Sequence, residues 1–182
     1  MKILIDSREQ LPYRFEGYGA ITSTGCLPAG DYSLPGFEDK VSIERKSVDD
    51  LIGCLMGSNR ERFEREMQKL KFYDLAAVVV EGSFDDLRQG RYRSQMSSTS
   101  AVQSVLAFMV RYRLAFVFAG NRQAGELVTY SLLSKFEHEI QARFKALEKA
   151  EKSHVEVSPK LAESNLGHPG ASNPMVEGMI GD

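Results

Sequence analysis

Hydrophobic and polar positions along the chain alternate between strand-like and helix-like periods. Lys2–Asp6 (KILID) reads as a buried strand that ends on an acid. Residues 20–24, 31–34 and 40–46 read as further strands, set apart by Gly and Pro punctuation. Leu75–Glu81 (LAAVVVE) is a continuous apolar run, the pattern of a strand covered on both faces, and residues 114–118 (LAFVF) make a sixth strand. Ser58 with Glu61 and Ser100 with Gln103 have capping-box spacing, each ahead of a helical stripe. The stripes are Phe63, Met67 and Leu70, then Val102, Val105, Leu106 and Met109. A last helix from about Asn121 places Leu133, Phe136, Ile140, Phe144 and Leu147 on one face. Strands first, then strands mixed with helices, predict an α/β fold: a three-layer α/β/α domain with a central mixed sheet.

Composition sets the limits of that domain. With 182 residues and 42% hydrophobic content, the chain can build one core. Its last aromatic is Phe144, and from Glu151 onward it holds three of the six prolines, with scattered Gly, Ser and Asn. Such a segment cannot bury enough apolar surface to offset its ordering entropy, so the domain is expected over 1–150 and a disordered tail over 151–182. No apolar run is long enough for a membrane span, and the N-terminus lacks a signal peptide's architecture. Two cysteines, Cys26 and Cys54, suit reduced thiols and a cytoplasmic setting. His138, His154 and His168 have no ligand spacing for zinc.

Charge is uneven. The net charge of -2 arises in the last 32 residues, which carry two lysines against five acids. Residues 88–122 contain Arg88, Arg91, Arg93, Arg111, Arg113 and Arg122 and no acid, which suits a polyanionic partner. Tyr92, between Arg91 and Arg93, can stack on an unpaired base or rest on the domain. Arg60, Arg62 and Arg65 interleave with Glu61, Glu64 and Glu66, as in a solvated helix face or beside a phosphate clamp.

The chemistry concentrates in residues 30–50, GDYSLPGFEDKVSIERKSVDD. Period-two alternation puts Glu44 and Lys46 on one face of their strand and Val41, Ile43 and Arg45 on the other. Asp31 and Glu44 can bind a hard divalent cation through oxygen, and Lys46 can orient water or neutralise charge at a phosphate. Arg45 cannot be left buried and unpaired, so it is expected to hold a carboxylate such as Asp50 or Glu9. Asp50 also stands at capping-box spacing from Ser47, and Arg8 and Glu9 suit a local ion pair equally well.

GDY followed by IERKSVDDL resembles the GD…ERKxxxD signature of the XPF-type structure-specific nuclease domain. Upstream, LIDSREQLP resembles that family's opening strand with its D-x-R-E motif; downstream, FEREMQKL and AAVVVEGS resemble the helix and strand that follow the signature. The resemblance covers about residues 2–140. It implies a restriction-endonuclease-like fold and Mg2+- or Mn2+-dependent cleavage of branched or flapped DNA in repair or recombination. Position by position, Asp6, Asp31 and Glu44 would be the metal-side acids and Lys46 the catalytic lysine, with Arg45, Asp50, Arg8 and Glu9 completing the motifs around them. Arg60, Arg62, Arg91 and Arg93 are the expected DNA contacts. Family members usually add a helicase-like region or a tandem helix-hairpin-helix module; the Gly/Pro-rich tail here implies instead a stand-alone bacterial or phage nuclease. The family commonly pairs through its nuclease domains, and the long apolar stripe of the last helix suits a homodimer. The alternative is a DNA- or partner-binding module that keeps the fold without cleavage.

Overall fold

The computed structural model describes the backbone of residues 1–163 and the side chains of residues 1–152. Six strands form one mixed sheet: β1 (Lys2–Asp6), β2 (Ile21–Gly25), β3 (Tyr32–Ser33), β4 (Val41–Ser47), β5 (Leu75–Glu81) and β6 (Ala115–Phe118). Their order is β2-β1-β3-β4-β5-β6. β3 is antiparallel to both β1 and β4; the remaining neighbours are parallel. The helices are α1 (Val48–Cys54), α2 (Gly57–Leu70), α3 (Phe84–Arg88), α4 (Ser98–Tyr112) and α5 (Arg122–Glu163).

The two faces of the sheet carry two separate cores. One joins Val78, Val80 and Phe116 to Leu51 and Ile52 of α1, Phe63, Met67 and Leu70 of α2, and Val105 and Phe108 of α4. The other joins Ile3, Ile5, Tyr32, Val41, Ile43, Ala77 and Val79 to Tyr13, Phe15, Leu133 and Phe136. The uninterrupted apolar run of β5 follows directly, because its side chains feed both cores in alternation. The architecture is the expected three-layer α/β/α.

Strand boundaries move by a residue or two from the sequence expectation, whereas two helix starts move for physical reasons. Ser58 does not cap α2: the helix starts at Gly57 behind Met56, with no side-chain cap, because α1 ends at buried Leu55 and runs almost straight into it. The cap of α4 is Ser97, three residues ahead of Ser100, whose backbone N–H it accepts. α3, short and without a long stripe, is closed by a complete Ser83–Asp86 capping box.

Two compact units divide the chain, Met1–Ile140 and Gln141–Asp182. Within the first, α5 buries Leu133 and Phe136, and Ile140 packs against the same core. Within the second, the helix continues through Glu163, beyond position 150 where composition places the end of order, and every described side chain from Gln141 to Lys152 is exposed. The remainder of the expected disordered tail, 164–182, lies outside the described residues. Among the described residues, no helix is long and apolar enough to cross a membrane.

Candidate active site

Sheet register assembles the site. The antiparallel pairing sets Ile5 against Tyr32 and Tyr32 against Ile43. Stepping one residue along each strand brings Asp6, Asp31 and Glu44 to one level on the opposite face. The backbone confirms the alignment: Asp6 N–H donates to Asp31 O at 2.8 Å, and Asp31 N–H to Ile43 O at 2.9 Å. Gly30, just ahead of Asp31, has φ +76, and a Cβ there would lie 2.0 Å from Ser42 Oγ. Only glycine suits that turn. The acids open into a cleft of about 770 Å³ whose far wall is the α2 face carrying Asn59, Arg62, Glu66 and Lys69.

The three motif acids differ in their surroundings. Glu44 is 3% exposed and forms an ion pair through Oε1 with Lys46 Nζ. Burial, then the neighbouring Asp31, pushes its carboxyl well above the ordinary range in spite of Lys46. Asp31 accepts Arg45 N–H on Oδ2 at 2.8 Å, and burial pushes its carboxyl up to about 6, with Glu9 and Glu66 adding to the rise. Burial works to neutralise Lys46, but Glu44 and Asp31 outweigh it and hold the ammonium charged. Its Nζ also lies 5.7 Å from the centre of the Phe63 ring.

Asp6, expected among the metal-side acids, is met by donors on both oxygens. Oδ1 accepts Arg8 N–H at 2.8 Å and Arg8 Nε at 2.7 Å; Oδ2 accepts Arg8 Nη2 at 2.9 Å and Leu27 N–H at 2.7 Å. Four donors occupy the roughly four lone-pair positions a carboxylate offers.

Arg45 behaves as a buried guanidinium must. It spans Glu9, through Nε and Nη2, and Glu81, through Nη1 at 3.2 Å. Arg122 holds the other oxygen of Glu81 at 3.0 Å and also donates to Leu11 O and Pro12 O. Glu9 is thus the partner of Arg45 rather than of Arg8. Asp50 is not in this network: Ser47 Oγ both accepts Asp50 N–H and donates to Asp50 Oδ2, so Asp50 closes the start of α1 at the rim of the cleft.

Five arginines of the acid-free stretch meet acids outside it, two of them acids just upstream and three of them acids distant in sequence. Arg88 meets Asp85; Arg91 meets Asp85 and Asp86; Arg93 meets Asp49; Arg111 meets Glu64; Arg122 meets Glu81. None of these arginines lines the cleft. Tyr92 rests on the domain and donates to Met96 O. Arg60 is held by Glu64 and Leu55 O over the Phe108 ring, whereas Arg62 faces the cleft. Arg65 and Glu66, which the sequence shows only as part of an interleaved helix face, also line the cleft, as does Lys69; neither Lys69 nor Glu81, a partner of Arg45, stands out in the sequence. The signal for the α2 wall was the 3-4-3 spacing of Asn59, Arg62, Glu66 and Lys69, a polar stripe bordering the apolar one.

Among the described residues, no group of three or more His, Cys, Asp and Glu side chains is set to hold a metal ion. Asp31 and Glu44 remain a chemically suitable pair. Each has one oxygen without a hydrogen-bond donor among the described residues, and their mutual repulsion favours a cation between them. Mg2+ is ordinarily held by one or two carboxylates, with water and substrate oxygens completing its shell.

Residues 5–132 match the ERCC4 domain. Two solved structures share the fold: "XPF from Aeropyrum pernix", 23% identical with a TM-score of 0.58, and "XPF from Aeropyrum pernix, complex with DNA", 22% identical with a TM-score of 0.58. The matches cover 74% of this chain and 60% of the first, and 76% of this chain and 66% of the second. No curated protein matches the chain. Since the matched domain spans well over half of the sequence, the chain belongs to the ERCC4 domain family and folds as an XPF-type nuclease domain.

Proposed function

We propose that the chain is a divalent-metal-dependent DNA endonuclease acting on branched or flapped DNA in repair or recombination. The observation that carries this reading is the convergence of Asp31, just ahead of β3, with Glu44 and Lys46 on one face of β4, in a cleft walled by Arg62, Arg65 and Lys69. Asp31 and Glu44 would hold Mg2+ or Mn2+, which supplies Lewis acidity toward a phosphoryl oxygen. Lys46, held charged by Glu44, stabilises negative charge developing on the phosphate. Arg45 fixes Asp31 through its backbone N–H while its side chain is anchored by Glu9 and Glu81. The cations of α2 bind phosphates along the cleft, giving affinity that falls with salt.

The chain works as a homodimer in this reading. The apolar stripe of α5 continues past its buried part to Phe144 and Leu147, 59% and 61% exposed, more than a solvated helix needs. A monomeric mass at tens of micromolar counts against it.

The deciding experiment incubates the protein with labelled flap, fork, Holliday-junction and linear duplex substrates in Mg2+, Mn2+ or EDTA. Cleavage with either metal and none in EDTA is expected. Undiminished cleavage in EDTA overturns the metal site, and binding without cleavage under any condition makes the chain a DNA-binding module.

A further inference from the structure

Arg8 is the one motif cation whose side chain is both held rigidly and largely open. Its guanidinium has five N–H donors. Nε donates to Asp6 Oδ1 at 2.7 Å, and Nη2 uses its two hydrogens on Asp6 Oδ2 at 2.9 Å and Leu27 O at 2.8 Å. The two hydrogens of Nη1 have no partner among the described residues, and the side chain is 67% exposed. Asp6, by contrast, is 2% exposed and saturated by donors. Both residues line the cleft that holds Asp31, Glu44 and Lys46.

Such an arrangement suits a preorganised anion contact. A free arginine loses rotamer entropy when it grips a phosphate; here that ordering is already complete, with the Nη1 edge left to bind. Of the nearby carboxylates, Asp6 is engaged by its donors, and Glu66 accepts Gly30 N–H at 3.4 Å while adding its charge to the surroundings of Arg8. Resting on the nuclease reading above, we infer that Arg8 is a substrate-binding residue that takes a backbone phosphate of the DNA through Nη1, and that Asp6 is its positioning residue rather than a metal ligand.

The two roles for Asp6 predict opposite results. As a metal ligand, Asp6→Asn removes a negative charge facing phosphate, so DNA affinity holds or tightens while the Mg2+ requirement rises. As the holder of Arg8, Asp6→Asn weakens binding and leaves the Mg2+ requirement unchanged.

The experiment compares wild type, Arg8→Gln, Asp6→Asn and the double variant. Affinity for a labelled flapped duplex and a plain duplex is read in EDTA over a salt series, and single-turnover cleavage is read over a Mg2+ titration. Arg8→Gln is expected to lose about tenfold in affinity, from one charged hydrogen-bonding contact. Its log–log salt slope becomes shallower by about 0.9. Asp6→Asn loses several-fold, and its effect vanishes in the Arg8→Gln background, which a merely structural role does not produce. The losses fall on the enzyme concentration at half-saturation, with the Mg2+ midpoint unmoved. Wild-type affinity and slope in Arg8→Gln, or tighter binding with a raised Mg2+ midpoint in Asp6→Asn, overturns the inference. So does a wild-type protein that binds neither DNA. If Asp6→Asn does not fold, the salt slope of Arg8→Gln decides. Wild-type binding without cleavage defeats the nuclease reading and leaves the affinity measurements to judge Arg8.

Discussion

Gly30→Ala tests how the sheet sets the site. At φ +76 a non-glycine residue carries a left-handed backbone penalty of about 1–2 kcal/mol. The new Cβ would sit 2.0 Å from Ser42 Oγ, 3.2 Å from Ser42 Cβ and 3.4 Å from Ile43 O. Ser42 Oγ must therefore swing away from Ala29 O, which it now reaches at 2.8 Å, and a buried hydrogen bond worth about 1 kcal/mol is lost. Together these give a destabilisation of about 2–3 kcal/mol, and hence a melting point lower by roughly 4–12 °C for a chain of this size. The assay is thermal unfolding followed by far-ultraviolet circular dichroism. Adding Ser42→Ala removes the nearest clashing atom, so the double variant should recover about 1 kcal/mol relative to the sum of the singles. Because Asp31 follows Gly30 and is tied to Ile43 O, cleavage at a temperature well below the transition should also fall. A Gly30→Ala protein that melts within about 2 °C of wild type refutes the argument, since neither the strain nor the overlap can then be real.

Other consequences follow from the same geometry. Asp31→Asn and Lys46→Ala should each abolish cleavage while duplex affinity changes less than about threefold; a Lys46→Ala protein that cuts normally removes the lysine from the mechanism. Arg62→Ala with Lys69→Ala should weaken DNA binding and flatten its salt slope by up to about two units, more than Arg91→Ala with Arg93→Ala, whose side chains already meet carboxylates; the reverse ranking moves the DNA path away from α2. Arg45→Met should cost about 3–5 kcal/mol in urea denaturation, because Glu9 loses its partner while Glu81 keeps Arg122. Glu9→Gln in that background should recover part of it, and no recovery argues against a stranded charge. Burial, foremost, raises the Tyr13 and Tyr32 hydroxyls above the ordinary tyrosine value. Their stabilising contribution is complete below the unfolded value near pH 10 and is lost as pH climbs toward the folded one, by about 1.4 kcal/mol per pH unit for each ring. Tyrosinate absorbance from this pair should therefore appear only with unfolding; a tyrosinate signal from both while the dichroism is intact contradicts their burial.

The sequence by itself determined the layers and the faces. A strand read as LAAVVVE could only be buried twice, and alternation through VSIERKS separated Glu44 and Lys46 from Arg45, because side-chain direction in a strand is fixed by a period of two. It also predicted that Arg45 must find carboxylates, since a guanidinium does not stay buried alone. What it left open depended on distances across the chain. Nothing local shows that Asp6 is consumed by Arg8 and Leu27 N–H, because Leu27 arrives only when the loop after β2 returns beside β1. The acid-free arginine stretch looked like a polyanion surface until folding brought Asp49, Glu64 and Glu81 against it. The α2 wall joined the site for the same reason: its polar stripe has a clear helical spacing, but only packing against the sheet turns that stripe toward Asp31 and Glu44. Period and burial are local properties of a chain. Charge compensation is pairwise, and where the partner is distant in sequence tertiary structure alone decides it.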